Sequence, residues 1–139
     1  MDPEEVNDGD LSIEDVCNML ISNSALHFLS FWNCFPDATP LPFQEALQFN
    51  TSITTFDVYR SAVTDDIFEM LLEALQGPNL LSFHANQNPI TQVDVLAERI
   101  LEFPRITQLI LDNCQISARS QAVLFTNLSA HTSLTELKI

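Results

Sequence analysis

The stretch RITQLILDNCQI, residues 105–116, constrains the chain more than any other. Ile106, Leu109, Leu111 and Ile116 are aliphatic and Cys114 stands between the last two, giving the spacing L-x-x-L-x-L-x-x-N/C-x-L. Three apolar side chains on a short strand point inward, the Asn or Cys satisfies backbone groups where the strand turns away, and the last aliphatic closes the turn. Leu80, Phe83, Ala85, Asn88 and Ile90 fill the same slots one unit upstream, and Ile53, Phe56, Val58, Ser61 and Val63 one unit before that. Leu134, Leu137 and Ile139 start the pattern once more. First slots at 53, 80, 106 and 134 give spacings of 27, 26 and 28. Leu26, Leu29, Phe31 and Cys34 make an earlier copy, with Pro36 where an aliphatic is expected.

The intervals between rungs read as helices. Ser12 with Asp15 has the form of a capping box ahead of Val16, Met19 and Leu20, which predicts a helix over about 12–22 that covers the amino-terminal edge of the stack. Residues 1–11 carry five acids and predict a disordered tail. A proline-rich loop over 36–42 and a short helix around Phe43, Ala46 and Leu47 follow the first strand. Thr64, Thr91 and Ser117 each directly follow the last aliphatic of a rung and are expected as N-caps. Inward stripes are expected at Ile67, Phe68, Leu71, Leu72 and Leu75, then Leu96, Ala97, Ile100 and Leu101, then Leu124, Phe125 and Leu128.

Strands alternating with full helices at this period resemble the ribonuclease-inhibitor-like class of leucine-rich repeats, over roughly 26–139. The resemblance implies an α/β solenoid of right-handed β–α repeats, curved, with parallel strands concave and helices convex. It also implies two regulatory roles as rivals to simple binding: inhibition of a basic enzyme, through residues such as Asp57 and Asp112, or activation of a small GTPase. His84 and Ala85 in a thinly aliphatic strand, Ser61 at the Asn/Cys slot, and Pro36 depart from the pattern.

Strand side chains between the buried ones face the concave hollow. Their columns are Phe28, Thr55, Ser82, Gln108 and Glu136; Ser30, Asp57, His84, Ile110 and Lys138; and Trp32, Tyr59, Asn86 and Asp112. The one Trp and the one Tyr share a slot, so their rings should be neighbours, and Arg60 follows directly. Aromatics beside an Arg have the composition of a binding hot spot. The partner-binding candidates are therefore Trp32, Tyr59, Arg60, Asp57, His84, Asn86, Ile110 and Asp112; the competing expectation folds Trp32 under the proline loop.

Nineteen acids against five basic residues give a net charge of -14, which disfavours nucleic acid and anionic membranes as partners and suits a protein, a basic one included. Acidic stripes, Asp94, Glu98 and Glu102 on one helix and Glu69 and Glu73, beginning from Asp65 or Asp66, on another, read as solvated faces or as docking for such a partner. Cys17, Cys34 and Cys114 lack a C-x-x-C spacing and read as reduced, buried thiols. His27, His84 and His131 lie far apart, and glycine occurs only at Gly9 and Gly77, so no metal, cofactor, phosphate loop or catalytic site is expected. Asn50-Thr51-Ser52 and Asn127-Leu128-Ser129 match a glycosylation sequon but read as turn and helix residues. The acidic first residues are unlike a secretory leader, which points to the cytoplasm. The last strand lacks a helix and a polar cap, so the expectation is a piece of a longer repeat protein, with self-association through that edge as the alternative. The sequence thus predicts a non-enzymatic protein-interaction module, with a purely structural spacer as a further rival.

Overall fold

The computed structural model describes residues 12–33 and 41–139. Helices and strands alternate: α1 (Ile13–Ser22), β1 (Phe28–Trp32), α2 (Leu41–Phe49), β2 (Thr55–Tyr59), α3 (Asp65–Leu75), β3 (Ser82–His84), α4 (Asp94–Arg99), β4 (Gln108–Ile110), α5 (Ala118–Leu128) and β5 (Glu136–Lys138). A 3-10 turn, Ile100–Glu102, continues α4. The five strands form one parallel sheet in the order β1-β2-β3-β4-β5. Leu29, Phe56, Phe83, Leu109 and Leu137 stand opposite one another across it, so the sequence period is the sheet register.

Each rung works as its spacing requires. Ile53, Leu80 and Ile106 are buried, as are Phe56, Phe83 and Leu109, while Leu134 and Leu137 at the last strand are half-buried. Aromatic rings fill much of the inner layer: Phe31 meets Phe56 at 6.0 Å, Phe56 stacks on Phe83 at 6.0 Å, and Phe68 of α3 meets Phe83 edge-on at 5.9 Å. Each such ring removed from water contributes about 2–3 kcal/mol. The Asn/Cys slot ties neighbouring units together. Asn88 Nδ2 donates to the carbonyls of Val58, Ala85 and Asn86, and its Oδ1 accepts from the amides of Ser61 and Val63. Ser61 donates to the Phe31 and Tyr59 carbonyls, and Cys114 Sγ to that of Ala85.

Several local expectations are corrected. The loop assigned to 36–42 ends earlier, because α2 already begins at Leu41 and Pro42 sits in its first turn, where no amide is needed; residues 34–40, with Cys34 and Pro36, and the tail over 1–11 lie outside the described residues. Only Ser12 and Ser117 cap as expected, accepting from the amides of Asp15 and Ser120. Thr64 makes no capping bond, and α4 starts at Asp94 behind Val93. Thr91 instead reaches the preceding unit, donating from Oγ1 and N to the Asp65 carboxylate at 2.5 and 2.8 Å. Ser120 of the following unit serves α4, accepting from Val93 N at 2.6 Å and donating to Asp94. Helix starts lie side by side, so a neighbour supplies the cap that the local residue was expected to supply.

Leu101 and Phe125 do not face inward; they are 63% and 47% exposed. The 3-10 turn advances fewer residues per turn than an α-helix and rotates Leu101 off the buried stripe, leaving Phe103 to fill the core. In α5 Leu124 is buried, and Phe125, about 100° round the helix from it, lies on the outward side. Gly77, at φ +131°, makes the exit from α3 in a region open only to glycine, and its amide donates to the Glu102 carbonyl.

Candidate functional site

With the helices packed on one side, the strand residues of alternate parity form an open sheet face. At its β1–β2 corner, Trp32 is 63% exposed and Phe28 56% exposed, both on β1. The Trp32 and Tyr59 ring centroids lie 4.8 Å apart with planes at 34°, as their shared slot requires. Trp32 is therefore not folded into the interior. Between Phe28 and Trp32, Ser30 Oγ donates to Asp57 Oδ2 at 2.9 Å.

The other candidates separate from this corner. His84 Nε2 donates to Gln108 Oε1 at 3.0 Å, Ser82 Oγ donates to the same oxygen, and Gln108 Nε2 donates to Glu136 at 2.5 Å, a polar ladder across β3 to β5. Ile110 is only 7% exposed and has little surface to offer. Asn86 and Asp112 are engaged with each other, Asp112 N donating to Asn86 Oδ1 at 3.0 Å. Arg60 turns out of the sheet at φ +48° and lines a polar depression with Gln87, Asn88, Pro89, Asn113 and Gln115 at the carboxyl ends of the strands.

That turn is a feature that sequence reasoning missed. Asn33, Arg60, Gln87 and Asn113 all have φ between 48° and 58° and occupy one slot in successive units. Two asparagines, a residue type that tolerates this region, were the available signal. A second recurrent slot stands three residues before the rungs that begin at Leu26, Ile53 and Leu134. Asn23 Oδ1 accepts from the amides of Ala25 and Leu26, and Asn50 Oδ1 from those of Ser52 and Ile53. Asn50 Nδ2 also donates to the Leu20 and Asn23 carbonyls, so the first sequon's nitrogen holds α1 to α2. Asn127 Nδ2, in the second, donates to the Ala97 carbonyl. His131 repeats the device: Nδ1 accepts from Leu134 N and Nε2 donates to the Phe103 carbonyl, which fixes the neutral tautomer.

Among the described residues no group of three or more His, Cys, Asp or Glu is arranged to hold a metal ion. Cys17 and Cys114 are free thiols. Burial raises the Cys17 pKa; burial also raises that of Cys114, with the Asp112 charge adding to it against lowering contacts from the Asn88 and Gln87 backbone. Both are pushed away from the thiolate that a nucleophile needs. Partial burial works against the charge on Asp65, but the hydrogen bonds from Thr91 and Gln92 outweigh it and hold this carboxyl below its ordinary range. Asp65 and Asp94, at the heads of the acidic stripes, thus hold neighbouring units, while Glu69, Glu73, Glu98 and Glu102 are exposed. Among the described residues no helix is long and apolar enough to cross a membrane.

No family model matches the chain, and neither does any curated protein. Solved structures do. A tropomodulin C-terminal domain of Caenorhabditis elegans is 18% identical, with 93% of this chain and 83% of that chain covered and a TM-score of 0.77. A leiomodin-1 fragment described as actin-binding site 2 is 21% identical, covers 91% and 75%, and has a TM-score of 0.74. At such identity the likeness is one of fold. It corrects the resemblance to the ribonuclease-inhibitor-like class: the neighbours are the leucine-rich-repeat-like domains of tropomodulin and leiomodin. The rung fixes strand register and inward burial, which any stack of β–α units needs. Its return segments are irregular here, with helices of 9, 11, 6 and 11 residues, and the rung spacing alone did not carry that information.

Proposed function

We propose that this chain is a non-enzymatic protein-interaction module that engages its partner across the open strand face. The observation that carries the reading is the Trp32–Tyr59 pair, 4.8 Å apart, with Trp32 in contact with solvent for most of its surface. Large aromatic surface kept out of a core that buries Phe43, Phe56, Phe68, Phe83 and Phe103 fits the composition of an interface centre. In this reading the units wind as a curved, right-handed solenoid with the open face concave, α1 covers its first edge, and the module works in the cytoplasm. Trp32, Tyr59 and Asp57 form the centre; His84, Asn86 and Asp112 lie along the face, Ile110 floors it, and Arg60 marks its rim.

The leiomodin-1 fragment is an actin-binding site by description, so filamentous actin is the first defined partner to try. The regulatory roles rested on the ribonuclease-inhibitor-like resemblance and go with it. The test compares the intact chain with the Trp32→Ala/Tyr59→Ala variant in actin co-sedimentation and in affinity capture from lysate. The reading expects captured protein to be lost with the double variant while the melting temperature stays within about 3 °C, as for surface substitutions. A large fall in melting temperature, or capture that survives the double change, contradicts it.

A further inference from the structure

Resting on that reading of the open face, we infer that its β1–β2 corner takes an arginine side chain from a basic segment of a protein partner. The guanidinium lies on the free side of the Trp32 ring and pairs with Asp57. Tyr59 leans on the indole at 4.8 Å, so the ring is held before anything binds, and little side-chain freedom remains to be lost. Indole is the best aromatic platform for a cation. Asp57 stands two residues before Tyr59 on the same face, about 7 Å along the strand. Its Oδ2 accepts from Ser30, and among the described residues no cation pairs with its carboxylate. A planar guanidinium can stack on a ring and donate to a carboxylate together, which an ammonium does less well.

Charge points the same way. The chain carries 19 acids against 5 basic residues, and its field draws in cations. Arg60 follows Tyr59 in sequence but lines the strand-end depression with Gln87 and Asn113. Phe28, 56% exposed and about 13 Å along β1 from Trp32, offers an apolar footing for a neighbouring residue of the same segment.

Trp32 is the only tryptophan, so its fluorescence reports on this corner alone. The intact chain is titrated with a terminally blocked heptapeptide of alternating arginine and glycine, and with its lysine and glutamate counterparts. The inference expects a saturable change in Trp32 emission with the arginine peptide, binding weaker by about threefold or more with lysine, and no response to glutamate. Asp57→Asn, which keeps an acceptor for Ser30, should weaken the arginine peptide about tenfold. Glu98→Gln on the helical side should change its binding little. Equal losses in Asp57→Asn and Glu98→Gln, or preference for glutamate, overturn the inference, the first by reducing it to general charge attraction. If the arginine peptide leaves the emission unchanged while the Trp32→Ala/Tyr59→Ala variant still loses its captured partner, the arginine assignment falls and the open face stands. If capture also survives that variant, both fall.

Discussion

Asn88 turns one side chain into a joint between two units, with three donor and two acceptor contacts to backbone groups. Alanine there strands several buried polar groups at once, so Asn88→Ala should destabilise the fold by about 3 kcal/mol, a fall in melting temperature of roughly 10 °C. A loss below about 1 kcal/mol in urea unfolding contradicts this account of the joint. Ala62 sits at φ +57°, where a β-carbon is crowded. Ala62→Gly should stabilise by about 1 kcal/mol, measured the same way. At this scale the sequence was legible where one residue type has one job, as at Asn88. It was opaque where different side chains do the same job: Asn23, Asn50 and His131 share a slot that no single letter marks. Arg60 hid the left-handed turn for the same reason, since its type gives no sign of positive φ.

Strands and helices were legible as elements because burial sets their period, and their contents followed less closely. Thr64 and Thr91 carry cap chemistry in sequence, yet Thr91 serves the Asp65 carboxylate one unit away. Lateral contacts of this kind leave no local spacing to read. They do have a pH signature. The Asp65 pKa is lowered in the fold from an ordinary 3.8, so its contribution is complete well above 3.8 and is lost as pH falls through 3.8 and on through the lower folded value. The melting temperature of the native chain should therefore drop more steeply between about pH 5 and 3 than that of Asp65→Asn; parallel profiles contradict the coupling. The corrected helix stripes have their own test. Phe83→Ala, between Phe56 and Phe68, should cost about 4 kcal/mol in urea unfolding, and Phe125→Ser less than about 0.5. Comparable losses contradict the rotation that puts Leu124 inward and Phe125 outward.

Over the whole molecule, a repeated rung gives one buried side and one open side, and the open side is where side chains are free of packing duty. The column assignment followed from strand alternation, so the nearness of Trp32 and Tyr59 was legible. Depth was not: Ile110 shares its column with Asp57 and His84 yet is nearly enclosed. Neither was the departure of Arg60, which depends on a backbone turn. The class of repeat was also beyond the rung pattern, which any stack of β–α units shares. The claim that matters most is that recognition belongs to the strand face and not to the acidic helices. Photo-cross-linking tests it directly, with a benzophenone side chain placed at Thr55 on the strand face or at Glu98 on the helical side. Adducts with a partner from Thr55 and none from Glu98 are the predicted result; adducts from Glu98 alone would contradict it.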